Sequence, residues 1–155
     1  MKVKDAMTSP AQSCSPETNL ASAAVQMWES DCGVLPVINR EGKVIGMVTD
    51  RDICMAAATK HTIASDITVW ETISGSLYAC SPDDDMKDAL NTMAREKVRR
   101  LPVIDKDGTL QGMITMNDAI LHAREARGKK SPDLSYKDVM GTLKDICAHR
   151  APVRF

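Results

Sequence analysis

Apolar residues recur along this chain with two different periods, and the switches between them mark out its elements. After Ser15-Pro16-Glu17-Thr18, residues Leu20, Ala23, Ala24 and Met27 fall at i, i+3, i+4 and i+7. This predicts a helix with one apolar face, stopping near Cys32-Gly33, where glycine suits a left-handed cap. Val34 to Ile38 is a continuous apolar run broken only by Pro36. The missing N–H confines that strand to an edge or to a place where the donor is not needed. Asn39-Arg40-Glu41-Gly42 reads as a turn, Val44 to Thr49 as the return strand, and Asp50 to Ala58 as a second helix. Upstream, Val3 to Met7 is a short turn and Gln12 to Cys14 a short strand. From Thr59 to Ser76 the pattern weakens into a connection with one helical turn at Ala64 to Ile67.

The same series of elements then returns. Leu77 to Cys80 is a strand, Asp84 to Glu96 a helix with Met86, Ala89, Leu90 and Met93 on one face, and Leu101 to Ile104 a strand. Asp105-Lys106-Asp107-Gly108 is a turn, Leu110 to Thr115 a strand and Met116 to Arg127 a helix. The words repeat as well as the pattern. Gly46-Met47-Val48-Thr49-Asp50-Arg51-Asp52 comes back 66 positions later as Gly112-Met113-Ile114-Thr115-Met116-Asn117-Asp118. The same offset pairs Leu35-Pro36-Val37-Ile38 with Leu101-Pro102-Val103-Ile104, and Cys14-Ser15-Pro16 with Cys80-Ser81-Pro82, without a gap. The chain is a duplicated unit. Residues 1–58 form repeat 1, 59–72 a linker, 73–127 repeat 2 and 128–155 a tail. In the tail, Val139, Leu143 and Ile146 predict an amphipathic helix over Ser135 to Ala148, a cover for the module or for a partner copy. Short strands alternating with helices give an α/β (α+β) class, each repeat a small sheet packed by two helices. Neither half buries enough alone, so the two are expected to pack as one pseudo-symmetric body.

Each copy of the repeated word has a Gly, two apolar residues, a Thr, and an Asp three positions after the Thr. That is the form of a capping box, in which the hydroxyl accepts from an early helix N–H and the carboxylate reaches back to the cap. Capping alone accounts for one copy. Repetition points further, because a helix start offers free N–H groups and partial positive charge to a phosphate. A carboxylate beside it can accept both hydroxyls of a ribose diol, and glycine admits a ligand close to the strand.

Gly-h-h-Thr-x-x-Asp, eight residues after a Leu-Pro-Val-Ile strand and repeated in tandem, resembles the CBS-domain pair, or Bateman module, from about Val3 to Ala123. Gly-Met-Val-Thr-Asp-Arg-Asp-Ile, with Val98-Arg99-Arg100-Leu101-Pro102-Val103 in the second copy, is similar to small stand-alone bacterial CBS proteins of the hypoxic-response type. The resemblance implies an adenine nucleotide (AMP, ATP or NAD) held in clefts between repeats, with Thr49, Asp52, Thr115 and Asp118 at the ribose and α-phosphate. It places Arg99 and Arg100 where phosphates are reached, and Arg51 lies inside the first motif. For the adenine it implies Met7, Thr8 and Val37 in the first half, and Leu77, Tyr78 and Val103 in the second. It further implies a flat homodimer formed through helices. The positions equivalent to Arg99 and Arg100 are Gly33 and Val34, so two equal sites are not expected.

Composition narrows the rest. Lys+Arg 20 against Asp+Glu 21 leaves a net charge of −1, with no global field for nucleic acid or an anionic membrane. A hydrophobic share of 43% with 10 Met and 3% aromatics predicts a Met-rich aliphatic core. No apolar run reaches the ~18–20 residues of a membrane span, and Met1-Lys2-Val3-Lys4-Asp5 lacks a signal core, so a cytoplasmic protein is expected. The five cysteines, Cys14, Cys32, Cys54, Cys80 and Cys147, are never spaced as Cys-x-x-Cys and read as reduced thiols rather than as a metal or disulfide set. His61, His122 and His149 stand in no nucleophile or metal spacing, and there is no P-loop, so no enzyme is expected. Two other readings stay open: a nucleotide-free interaction module whose Thr and Asp only cap helices, and a thiol redox sensor.

Overall fold

The computed structural model describes residues 1–73, 76–126 and 131–148. The chain is α+β, with two small antiparallel sheets, β1–β2 and β3–β4. It folds into two compact units that cut across the sequence repeats. One holds residues 10–77 and 104–111, the other residues 1–9, 78–103 and 112 onward.

In the first unit, α1 (Leu20–Glu29) begins later than the Ser15-Pro16-Glu17-Thr18 signal, because those residues close their own turn, Ser15 N–H donating to Thr18 Oγ1 at 3.2 Å. Asn19 caps the helix instead, accepting from Ser22 N–H at 2.8 Å. Its exit is also shifted. The left-handed residue is Asp31 (φ 48°) rather than Gly33. β1 (Val34–Ile38) pairs antiparallel with β2 (Val44–Thr49), Val34 opposite Thr49 and Val37 opposite Gly46, and α2 (Asp50–Thr59) follows directly. Pro36 does not sit on a free edge. Cys14 N–H donates to the Pro36 carbonyl at 3.0 Å and Ile38 N–H to the Cys14 carbonyl at 2.8 Å, a bridge that needs no donor from Pro36. The expected strands at Gln12–Cys14 and Leu77–Cys80 are thus reduced to single-residue parallel bridges, Cys14 to Val37 and Cys80 to Val103, each followed at once by Ser-Pro.

The connection after α2 is more than a tether. Ile67 and Val69 are buried with Leu20, Ala23, Met27, Leu35 and Val48, and Leu20 N–H donates to the Ile67 carbonyl at 2.9 Å. Two isolated apolar residues carry no period, so no sequence pattern marks them as core.

The second unit opens with a 3-10 turn, Val3–Asp5, docked by Val3 N–H on the Asp84 carbonyl (3.0 Å) and by Met86 N–H on the Met1 carbonyl (3.0 Å). Along the chain follow α3 (Met86–Glu96), β3 (Arg100–Ile104), β4 (Leu110–Thr115), α4 (Met116–His122) and α5 (Tyr136–Cys147), with Ile104, Leu110 and Gln111 counted in the first unit. α4 is shorter than the expected Met116–Arg127, whose last residue lies outside the described ones. Ala123 is extended (ψ 146°), and the backbone pairs with the tail instead: Arg124 N–H donates to the Leu134 carbonyl at 3.0 Å and Tyr136 N–H to the Arg124 carbonyl at 3.2 Å. The tail helix forms as expected and packs along α3 and against α4, and Leu134 just before it and Val139 within it are buried in the core with Met86, Leu90, Met93, Leu101 and Ile114. Each such side chain contributes about 1.5–3 kcal/mol when fully buried. No helix among the described residues is long and apolar enough to cross a membrane.

Candidate functional site

Both repeated motifs fold into the same device. At the end of β2, Thr49 Oγ1 donates to Asp52 Oδ2 at 2.8 Å, Thr49 N–H donates to the same oxygen at 2.9 Å, and Asp52 N–H donates back to Thr49 Oγ1 at 3.1 Å. At the end of β4, Thr115 and Asp118 repeat the three bonds at 2.7, 2.8 and 3.3 Å. In both boxes Oδ2 takes every bond, leaving Oδ1 without a partner among the described residues. All four side chains are half-buried. An acceptor oxygen beside a helix start suits a hydroxyl donor.

Geometry alone does not make these boxes ligand sites, because Ser135 and Asp138 form a third at the start of α5, with bonds of 2.7, 2.9 and 3.2 Å. The Gly three residues before each Thr separates the first two from the third. A Cβ on Gly112 would lie 2.6 Å from the Thr8 carbonyl oxygen and 3.0 Å from Met7 Sδ, and one on Gly46 would lie 2.9 Å from Ile73 Cδ1. Glycine is needed where another segment crosses the strand.

Those crossing segments correct one expectation. The resemblance implies Met7 and Thr8 for the first half; the structure puts them on the second-half strand, Thr8 N–H donating to the Met113 carbonyl at 2.8 Å and Met113 N–H to the Thr8 carbonyl at 2.9 Å. Their place on Gly46 is taken by Ile73, which is Met7 shifted by the 66-residue offset. Applying that offset to Met7 was the signal that would have found it. Val37 and Val103 are fully buried in the two cores. Tyr78 is exposed and belongs with the second unit, while Leu77 is half-buried and belongs with the first.

The charged candidates differ between halves. The carbonyl of Arg99 accepts Met116 N–H at 2.9 Å, tying the Arg99-Arg100 segment to the start of α4. In the first half the equivalent bond runs from Asp50 N–H to the Gly33 carbonyl at 3.1 Å, with no cation on that strand entry. The side chains of Arg51, Arg99 and Arg100 have no ion pair or hydrogen bond among the described residues, and Arg51 and Arg99 are exposed. Burial pushes the Cys14 thiol up to about 11, and burial together with Asp84 pushes that of Cys80 up to about 12, so both are neutral thiols near pH 7. No group of three or more His, Cys, Asp or Glu among the described residues is placed to hold a metal ion.

The architecture and the paired motifs define a tandem CBS module, and the family model of the CBS domain matches residues 3–59 and 63–125, so this chain belongs to the CBS-domain family. It is similar to the CBS domain-containing protein YhcV of Bacillus subtilis, 30% identical over 139 residues that cover 88% of this chain and 97% of that one. It is also similar to hypoxic response protein 1 of Mycobacterium tuberculosis, 33% identical over 106 residues, 68% of this chain and 73% of that one. The crystal structure of Hypoxic Response Protein I with two coordinated zinc ions superposes with a TM-score of 0.73 at 28% identity, covering 80% of this chain and 100% of the other. The CBS domain protein PAE2072 of Pyrobaculum aerophilum, solved with AMP, gives a TM-score of 0.70 at 20% identity, with 77% and 90% covered, a likeness of fold. Pairs of this kind are generally regulatory rather than catalytic.

Proposed function

We propose that this chain is a cytoplasmic regulatory sensor of an adenine nucleotide of the AMP, ATP or NAD type, acting on an effector protein by ligand-dependent change of shape. The observation that carries this is the twice-built Thr–Asp box that follows a glycine crossed by another segment, with a carboxylate oxygen left over at each helix start. AMP in the similarly folded PAE2072 supports the ligand class. Asp52 and Asp118 accept ribose hydroxyls, Thr49 and Thr115 sit beside the α-phosphate, and Arg99 and Arg100 make the second-half site the stronger, with Arg51 the cation of the first. Ligand acts by binding one packing of the module better than another. The test is thermal unfolding against AMP, ADP, ATP, NAD, GTP and S-adenosylmethionine, where a ligand at 100 times its Kd adds about 2.7 kcal/mol. A rise with an adenine ligand, lost in Asp118→Ala, supports the reading; no rise with any of the six overturns it.

The third box at Ser135 and Asp138 favours one rival, in which all three pairs only cap helices and the module binds protein alone. We place the homodimer contact on α4 and α5, where Leu121 (81% exposed), Ile120, Tyr136 and Met140 leave an apolar surface. Sedimentation of wild type against Leu121→Arg tests it, a dimer that becomes monomeric being the expected result.

A further inference from the structure

The second half of α5 is held more loosely than the first. The helix runs parallel to α3: Asp138 Oδ2 in its first turn lies 3.6 Å from Lys87 Nζ at the start of α3, and the Ala148 carbonyl at its end accepts from Lys97 Nζ at 2.6 Å, one residue past the end of α3. The Ser135–Asp138 box and buried Val139 and Thr142 fix the first half. Beyond Thr142 only Leu143 and Ile146 pack on the core, and both are half-buried. Just before that stretch stands Gly141, where an added Cβ would meet nothing within 4 Å. No neighbour requires glycine there, and glycine inside a helix favours opening of its turn about fivefold over alanine. Residues 143–148 therefore have the character of a segment that opens locally while the rest of the unit stays folded.

The tie on that segment leads to the nucleotide candidates. Lys97 is left-handed (φ 56°), and its N–H and that of Val98 both donate to the Met93 carbonyl, which fixes the turn after α3. Two residues on, the Arg99 carbonyl accepts from Met116 N–H at 2.9 Å beside the Thr115–Asp118 box, and Arg100 opens β3. Lys97 thus shares the short segment 97–100 with both arginines. Their equivalents 66 positions earlier are Asp31, Gly33 and Val34, so all three cations belong to the repeat that carries the tail. We propose that the second half of α5 reports occupancy of the second-half nucleotide site. Phosphate drawn to Arg99 and Arg100 steadies segment 97–100, Lys97 keeps its hold on Ala148, and residues 143–148 stay seated; with the site empty they open more often. A ligand that binds better with the helix end seated shifts that equilibrium, and by reciprocity the seated end raises affinity by the same factor. The inference rests on the nucleotide reading above.

The test is hydrogen exchange of the full chain, alone and with AMP, ATP and NAD, read on peptides covering α3 and α5 beside the thermal midpoint. Those of the three that raise the midpoint are expected to slow the amides of 143–148 about fivefold or more, and those of α3 less. Gly141→Ala, remote from the site and the tie, is expected to slow the same amides about fivefold without ligand. Ile146→Asp, which unseats the helix end, is expected to weaken binding by the factor by which ligand slows exchange in wild type. Lys97→Met is expected to keep the shift in midpoint and lose the effect on 143–148. A raised midpoint with 143–148 unmoved or slowed no more than α3, no slowing in Gly141→Ala, or unchanged affinity in Ile146→Asp overturns the proposal and leaves the nucleotide reading standing. So does Lys97→Met if the effect on 143–148 persists, or if the shift itself disappears, because Lys97 is then a ligand contact rather than a tie. No rise in midpoint with any of the three overturns the proposal, and no rise with any of the six ligands overturns the nucleotide reading as well.

Discussion

Thr8 and Met113 exchange both backbone hydrogen bonds, at 2.8 and 2.9 Å, which fastens the N-terminal segment to the second motif and presses the Thr8 carbonyl over Gly112. Glycine is therefore required at 112 by a rigid neighbour and at 46 only by the flexible end of Ile73. Gly112→Ala is expected to cost about 1–3 kcal/mol and Gly46→Ala less, because backbone cannot yield as a side-chain tip can. Urea unfolding of both variants measures the difference; equal losses would show the Thr8 contact to be relaxed in solution.

Three helix starts share one geometry, so they form an internal control. Asp52→Ala, Asp118→Ala and Asp138→Ala should each lower stability by about 0.5–2 kcal/mol through loss of the cap. Only the first two are expected to reduce the shift in midpoint produced by AMP, and Arg99→Ala with Arg100→Ala should reduce it without a loss of stability. If Asp138→Ala reduces it equally, capping is the whole role of the boxes.

Leu134 is 2% exposed and joins the tail to the core beneath it. Leu134→Ala is expected to destabilise by about 2–5 kcal/mol, read as a drop in the urea midpoint. An effect under about 1 kcal/mol would mean that the tail contributes little to the second core.

Acid should weaken the second unit. The Ser135 hydroxyl and then its N–H hold the Asp138 carboxyl below its ordinary 3.8, with Lys87 adding to the effect, and the Lys87 N–H does the same for Asp85. A carboxyl depressed on folding gives stability that is full above its unfolded value, near pH 4, and lost as pH falls through the folded value. The urea midpoint is therefore expected to fall as pH drops below about 4, and Asp138→Asn should flatten that fall. An unchanged slope in the variant would remove Asp138 from the account.

Burial raises the Cys14 and Cys80 thiols, whereas Cys54 and Cys147 are exposed. Iodoacetamide at neutral pH is expected to label Cys54 and Cys147 and to leave Cys14 and Cys80 unmodified until urea unfolds the chain. Early modification of Cys14 or Cys80, located by peptide mass, would restore the redox reading for that pair.

The sequence by itself determined the duplication, the strands Val34–Ile38, Val44–Thr49 and Leu110–Thr115, the tail helix, and the two Thr–Asp pairs. All of these rest on local causes: apolar period, the turns at Gly42 and Gly108, and bonds spanning three residues. Only the tertiary structure decided which strand Met7 and Thr8 cross, that Ile67 and Val69 enter the core, that α4 stops at His122, and that α5 seats itself on α3 with Lys97 at its end. Each of these is a pairing between segments far apart in the chain. Such pairings follow from which buried surface and which backbone donors are left over once the local elements have formed, and no local window of the sequence carries that information.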